Sequence, residues 1–152
     1  ALTETLSIVP EYLRTAQSEA GEVVDFRDWQ VPLGRRFRAL KLFFVMRHYG
    51  LAGLRDHIRT GIADATWLEE AIVAHPALEL VAPRSLALVC FAHVDGDDAT
   101  GRLLEAIADD PRYLCTRTVA AGRVSVRVAV GSPRTTRATI EQFWAFLVAA
   151  AA

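Results

Sequence analysis

The sequence predicts an α+β arrangement, a mostly antiparallel four-stranded sheet covered on one face by helices, with a long loop and further helices ahead of it. Three observations predict it. Val124, Val126, Val128 and Val130 alternate with Ser125 and Arg127, the period-2 pattern of a half-buried strand. Ile140, Phe143, Trp144, Leu147 and Val148 recur at the spacing of one helix face. Leu86–Val94 is apolar on both faces, as a central strand must be.

In chain order, residues 1–33 carry neither helical nor strand periodicity beyond Leu6-Ser7-Ile8-Val9. Pro10, Gly21, Pro32 and the polar stretch Gln17–Glu22 read as loop. From Leu33 the pattern turns helical, with Leu33, Phe37, Leu40, Phe44 and Val45 in step and Arg35, Arg36 and Arg38 between them. Gly50 and Gly53 interrupt this helix. A second one, about Leu54 to His75, carries Leu54, Ile58, Trp67, Leu68, Ala71 and Ile72 and stops at Pro76. Leu78–Ala82 is a short strand and Leu86–Val94 a longer one. Asp95-Gly96-Asp97-Asp98 turns the chain and offers an N-cap to a helix ending at Ala108, with Leu103, Leu104 and Ile107 inward. Tyr113–Val119 and Val124–Val130 form a hairpin about Ala120–Arg123, and the last helix opens near Thr135-Thr136.

Composition narrows the function classes. A chain of 152 residues fits one domain that buries roughly 70% of its unfolded surface, and the hydrophobic content of 52% supplies the core. The 17 basic and 18 acidic residues leave a net charge of −1, which excludes a general nucleic-acid or anionic-membrane binder. The apolar run Phe143–Ala152 is too short to span a bilayer, no secretory pattern is visible, and a cytoplasmic location is expected. Cys90 and Cys115 sit in strand-like apolar segments and read as reduced, buried thiols. No Gly-rich phosphate loop, Cys-x-x-Cys pair or His-Glu-x-x-His motif is present. His48, His57, His75 and His93 are scattered, so no metal site is expected.

The informative stretch runs Trp29-Gln30-Val31-Pro32-Leu33-Gly34-Arg35-Arg36-Phe37-Arg38-Ala39-Leu40-Lys41. It resembles the WQ-hydrophobic-PLGRRFR-x-LK signature of the pyridoxal-phosphate-dependent group II amino-acid decarboxylases, the family of aromatic-L-amino-acid decarboxylase. Pro10-Glu11-Tyr12-Leu13-Arg14 is similar to the P-x-YL segment of that family's catalytic loop, and Val24–Gln30 to the stretch where the loop returns. Leu40–Arg47, Tyr49-Gly50, Leu54 and Ile58-Arg59 resemble the helices that follow. Leu86–Phe91 resembles the LxLVCFR strand, with Ala92 in place of the usual arginine. Leu103-Leu104, Arg127–Gly131 and Trp144 keep the family's C-terminal order.

The resemblance implies an α/β protein of fold type I whose cofactor, pyridoxal 5′-phosphate, is held by a lysine in a His-Lys-Trp segment. That segment has no match here. Lys41, the one lysine of the chain, lies mid-helix outside such a context, so no cofactor-binding residue is expected among these 152. They are expected to form about the last third of the enzyme and to be inactive alone. The implied divisions are 1–33 (catalytic loop and end of the large domain), 34–76 (helices linking large and small domains) and 77–152 (small C-terminal domain). Tyr12 takes the place of the loop tyrosine that protonates the substrate Cα after CO2 leaves, reaching into the neighbouring subunit. Gly34 falls where the substrate pocket is shaped, and a glycine there leaves room for a large ring. Without the resemblance, Tyr12 reads as a surface tyrosine, Gly34 as a turn glycine before a helix, and Arg35 and Arg36 as solvated or paired arginines. Trp29 is expected to anchor the base of the loop. The implied reaction converts an aromatic L-amino acid to its amine and CO2 in a homodimer with shared active sites. The alternatives are a non-catalytic interaction domain derived from such an enzyme, or an aldehyde-forming member; the latter carries phenylalanine where Tyr12 stands.

Overall fold

The computed structural model describes residues 2–7, 16–29 and 36–151 of the chain. They fall into two compact units, Ala1–His48 and Tyr49–Ala152. In the first, α1 (Leu2–Leu6), α2 (Ala16–Glu19) and a 3₁₀ turn at Phe26–Trp29 precede the start of α3 (Ala39–Ala74). The expectation of plain loop through residue 33 is corrected, because short helical turns form there. Each is under two turns, too short to leave a periodic trace in the sequence. At the end of α2, Glu22 N–H donates to Gln17 O and Gly21 N–H to Ser18 O, a Schellman closure with Gly21 at positive φ. The expected helix start at Leu33 lies outside the described residues; α3 itself begins at Ala39.

Within α3, Gly50 has φ 66° and ψ 170°, a conformation essentially confined to glycine, so the helix is interrupted there as the sequence suggested. Gly53 stays helical.

The second unit holds a four-stranded antiparallel sheet: β1 (Leu78–Ser85), β2 (Leu88–His93), β3 (Thr116–Ala120) and β4 (Arg123–Ala129), in the order β1-β2-β4-β3. Two further helices, α4 (Asp97–Asp109) and α5 (Arg137–Ala150), complete it. The later part of α3 joins α4 and α5 on one sheet face. Ala65, Leu68 and Ile72 meet Leu103 and Ile107, Ile140, Phe143 and Leu147, and the inward strand residues Leu78, Val89, Phe91, Val126 and Val128. The alternation read in Val126, Val128 and Val130 is the alternation observed.

Several details differ from the sequence reading. β1 extends to Ser85 across irregular pairing, and β3 starts at Thr116, because Tyr113 leaves the sheet to pack on Phe143 and Phe146 of α5. Ile58 and Val148, read as helix-face residues, are exposed. The N-cap of α4 is Gly96 and makes no side-chain cap bond. Asp97 Oδ1 instead accepts the Val124 N–H at 3.0 Å, tying the helix start to β4. α5 opens where expected, and there Thr136 caps the Thr139 N–H while Thr139 reaches back, a reciprocal box. The hairpin turn Ala121-Gly122 has both residues at positive φ, the sense that suits twisted strands.

Ser125 and Ala92 are fully buried although they face away from the helices. Arg123 of β4 reaches across β2 to Glu79 of β1 at 2.5 Å and also donates to His93 O at 3.1 Å. This strap ties β4 to β2 and β1.

Candidate functional site

Tyr12, Gly34 and Arg35 lie outside the described residues. What is described is the framework on either side of them. Ser7 Oγ donates to Asp28 Oδ1 at 3.2 Å, bringing together two residues that flank the whole segment carrying Tyr12. Ser18 Oγ donates to Asp25 Oδ2, a second tie within that segment. Phe26 and Trp29 stand edge to face with centroids 5.4 Å apart. Trp29 thus packs on Phe26, three residues before it, and is itself 54% exposed. The sequence carried no signal for the Ser7–Asp28 closure, since a serine and an aspartate far apart in the chain form no motif.

Beyond Gly34, Arg36, Phe37 and Arg38 are exposed and, with Ala39, line a shallow cleft leading into α3. Lys41 is exposed on the first turns of α3, its N–H donating to Arg38 O at 3.1 Å. A lysine that holds a cofactor covalently must sit in an enclosed pocket that excludes water. Lys41 is exposed among the described residues.

The histidines are occupied structurally. His57 Nε2 lies 3.3 Å from Gly131 O. His75 Nδ1 accepts from Ala77 N–H, and its ring meets Trp144 edge-on at 5.6 Å. His93 is buried; its Nδ1 accepts from Asp95 N–H at 3.1 Å, which leaves Nε2 to donate to Ala151 O at 3.3 Å. That arrangement pins the end of α5 to β2. Asp64, buried on α3, is held by Arg137 Nε at 3.0 Å, with the guanidinium over Trp67. Arg112 holds the Asp110 carboxyl down at about 2, a surface pair beside Tyr113. Burial pushes the Cys115 thiol up to about 11. Among the described residues no three His, Cys, Asp or Glu side chains gather as a metal site would require.

The described geometry is a helix entered from Arg36-Phe37-Arg38, a Ser7–Asp28 tie ahead of it and an antiparallel sheet covered by helices. Comparison with known proteins supplies the family. Residues 1–94 match the pyridoxal-dependent decarboxylase conserved domain, and the chain belongs to that family. It is 42% identical over 151 residues to tyrosine decarboxylase 2 of Narcissus pseudonarcissus, covering 95% of this chain and 30% of that protein. To phenylacetaldehyde synthase of Arabidopsis thaliana it is 38% identical, covering 95% of this chain and 31% of the relative. The crystal structure of Oryza sativa TDC with PLP and tryptamine superimposes with a TM-score of 0.90 at 37% identity, over 98% of this chain and 33% of that one. The chain thus spans about a third of the length of the relatives it matches. Those relatives include both aromatic amino-acid decarboxylases and aldehyde synthases. No described helix is long and apolar enough to cross a membrane.

Proposed function

We propose that these residues belong to a pyridoxal-phosphate-dependent carboxy-lyase that converts an aromatic L-amino acid to the corresponding amine and CO2, and that Tyr12 is its proton donor. The single observation that carries the reading is the Trp29–Lys41 signature, set behind Pro10-Glu11-Tyr12-Leu13 in a chain 42% identical to a tyrosine decarboxylase. Residues 1–33 then form the catalytic loop and the end of the large domain, 34–76 the linking helices and 77–152 the small domain. The protein works in the cytoplasm as a homodimer whose subunits share active sites, and this segment alone is inactive.

Pyridoxal phosphate, when bound, supplies the electron sink that lets the Cα–carboxylate bond break. Its anchoring lysine lies outside these residues, since Lys41, the one lysine here, has no His-Lys-Trp context. Tyr12 donates its phenolic proton to Cα once CO2 has left, and Gly34 leaves space for the substrate ring. The Ser7–Asp28 bond holds the two ends of the Tyr12 segment together, so the phenol starts from a fixed base.

The 38% identity to a phenylacetaldehyde synthase favours a second reading, in which the product is an aldehyde. Tyr12 separates the two, because amine formation needs a proton donor. In the complete enzyme, Tyr12→Phe is expected to leave substrate binding intact and lower amine formation by about 10²–10⁴. Aldehyde, ammonia and CO2 then appear instead, with O2 and water consumed and H2O2 released. The check is product analysis of the purified variant under air with an aromatic amino acid. Amine formed at the parental rate excludes Tyr12 as the donor.

A further inference from the structure

The first half of α3 has a surface that an isolated chain does not satisfy. Leu40, Leu42, Phe43, Phe44, Val45 and Met46 are all exposed, Leu42 by 61% and Met46 by 43%. At about 100° per residue, and counting Leu40 as zero, they fall at roughly 0°, 200°, 300°, 40°, 140° and 240°. The widest gap, between Phe44 and Val45, is filled by Lys41 and His48 at roughly 100° and 80°. Arg47 falls between Phe43 and Leu40, where its stem continues the apolar surface and its guanidinium calls for a carboxylate. The helix is therefore apolar around most of its girth, with one polar seam.

We propose that Leu40–Arg47 is the buried axis through which this segment packs into the rest of its own polypeptide, with the Lys41–His48 seam left facing solvent. The proposal rests on the reading that these residues are part of a longer decarboxylase. A contact with a second copy covers one stripe and leaves the opposite face bare, whereas this helix must be enclosed from several sides. A membrane does not fit either, since the helix is not long and apolar enough to cross one. The relatives carry about twice as much chain again as this segment supplies, which is ample to surround one helix. Residues 1–94, this helix included, match a single conserved domain, as a helix packed within one polypeptide would. Its chemistry is an apolar groove with an acidic group opposite Arg47.

Two side chains unique in this chain report the orientation: Met46, its one methionine, and Lys41, its one lysine. The complete protein is treated with hydrogen peroxide or with an acetylating ester, then digested, and the α3 peptide is weighed. Met46 is expected to oxidise at least about tenfold more slowly than in urea, at every protein concentration, while Lys41 acetylates within about threefold of its urea rate. Oxidation of Met46 as fast as in urea overturns the burial. Protection lost on dilution assigns the surface to a second copy and overturns the occupant. Shielding of Lys41 overturns the solvent-facing seam. If borohydride also fixes pyridoxal phosphate onto the Lys41 peptide, the cofactor assignment fails with it, which distinguishes that failure from a misplaced seam.

Discussion

Cys115 illustrates how a single residue couples burial to pH. It packs against the apolar core between Tyr113 and β3, and desolvation raises its thiol from 9.0 to about 11. In the unfolded chain the thiol ionises first, so above pH 9 the unfolded state binds fewer protons than the folded state. The stabilisation from keeping this thiol neutral is complete below pH 9 and drains away as the pH rises toward 11. The complete protein is therefore expected to lose more stability between pH 8.5 and 10.5 than its Cys115→Ala variant does, an interval of about 2 units around the shift. Urea midpoints at the two pH values decide it; equal losses would show that Cys115 does not ionise on unfolding in that window. Asp110 works in the opposite direction. Its lowered carboxyl contributes above its ordinary range and is lost in acid as the pH falls toward 2, but the Arg112 side chain lies out in solvent, where water screens the pair.

At the scale of elements, α3 and the turns around it decide how the sheet is covered. Gly61 lies where α3 crosses the end of β4, and a Cβ there would stand 2.7 Å from Val130 O. Val130 N–H is already bound to Ala87 O at 2.9 Å, so that carbonyl belongs to a backbone that resists moving. Alanine would gain up to about 1 kcal/mol of helix propensity. Overpacking against backbone costs about 1–3 kcal/mol, so the clash wins. Gly61→Ala is expected to lower the stability of the protein, read as a lower urea midpoint with unchanged slope; a raised midpoint would show that α3 can shift freely. The β1–β2 turn is fixed from the same helix. Leu86 adopts φ 52°, and Arg84 donates to its carbonyl at 2.7 Å while pairing with Glu69 of α3 at 2.7 Å. One arginine thus ties a strained turn to the helix beneath it.

For the whole molecule, the division of labour between these residues and the remainder of the protein is the testable matter. Lys41 is exposed on a helix, so the 152-residue chain by itself is expected to show no visible band of lysine-bound cofactor when mixed with pyridoxal phosphate. A stoichiometric band that vanishes in Lys41→Ala would place the cofactor here and overturn the proposal that its anchor lies elsewhere. The apolar girth of α3 points the same way, toward a segment whose surfaces are completed by more chain.

The sequence by itself determined the family, through one dense motif, and it determined the strands, because valines alternating with Ser125 and Arg127 have one way to bury themselves. It also determined the hairpin about Ala120–Arg123 and the opening of α5 near Thr135-Thr136, since both depend on residues adjacent in the chain. The helix-face reading of Phe37, Leu40, Phe44 and Val45 found the helix but not its surroundings, for periodicity reports which residues want cover and not what covers them. Only the tertiary structure decided that Asp97 binds β4 instead of capping α4, that Arg123 straps three strands, and that Ser7 meets Asp28. Each of these is a polar contact between residues distant in sequence. Such contacts leave no period to read, because their partners are chosen by the fold that brings them together.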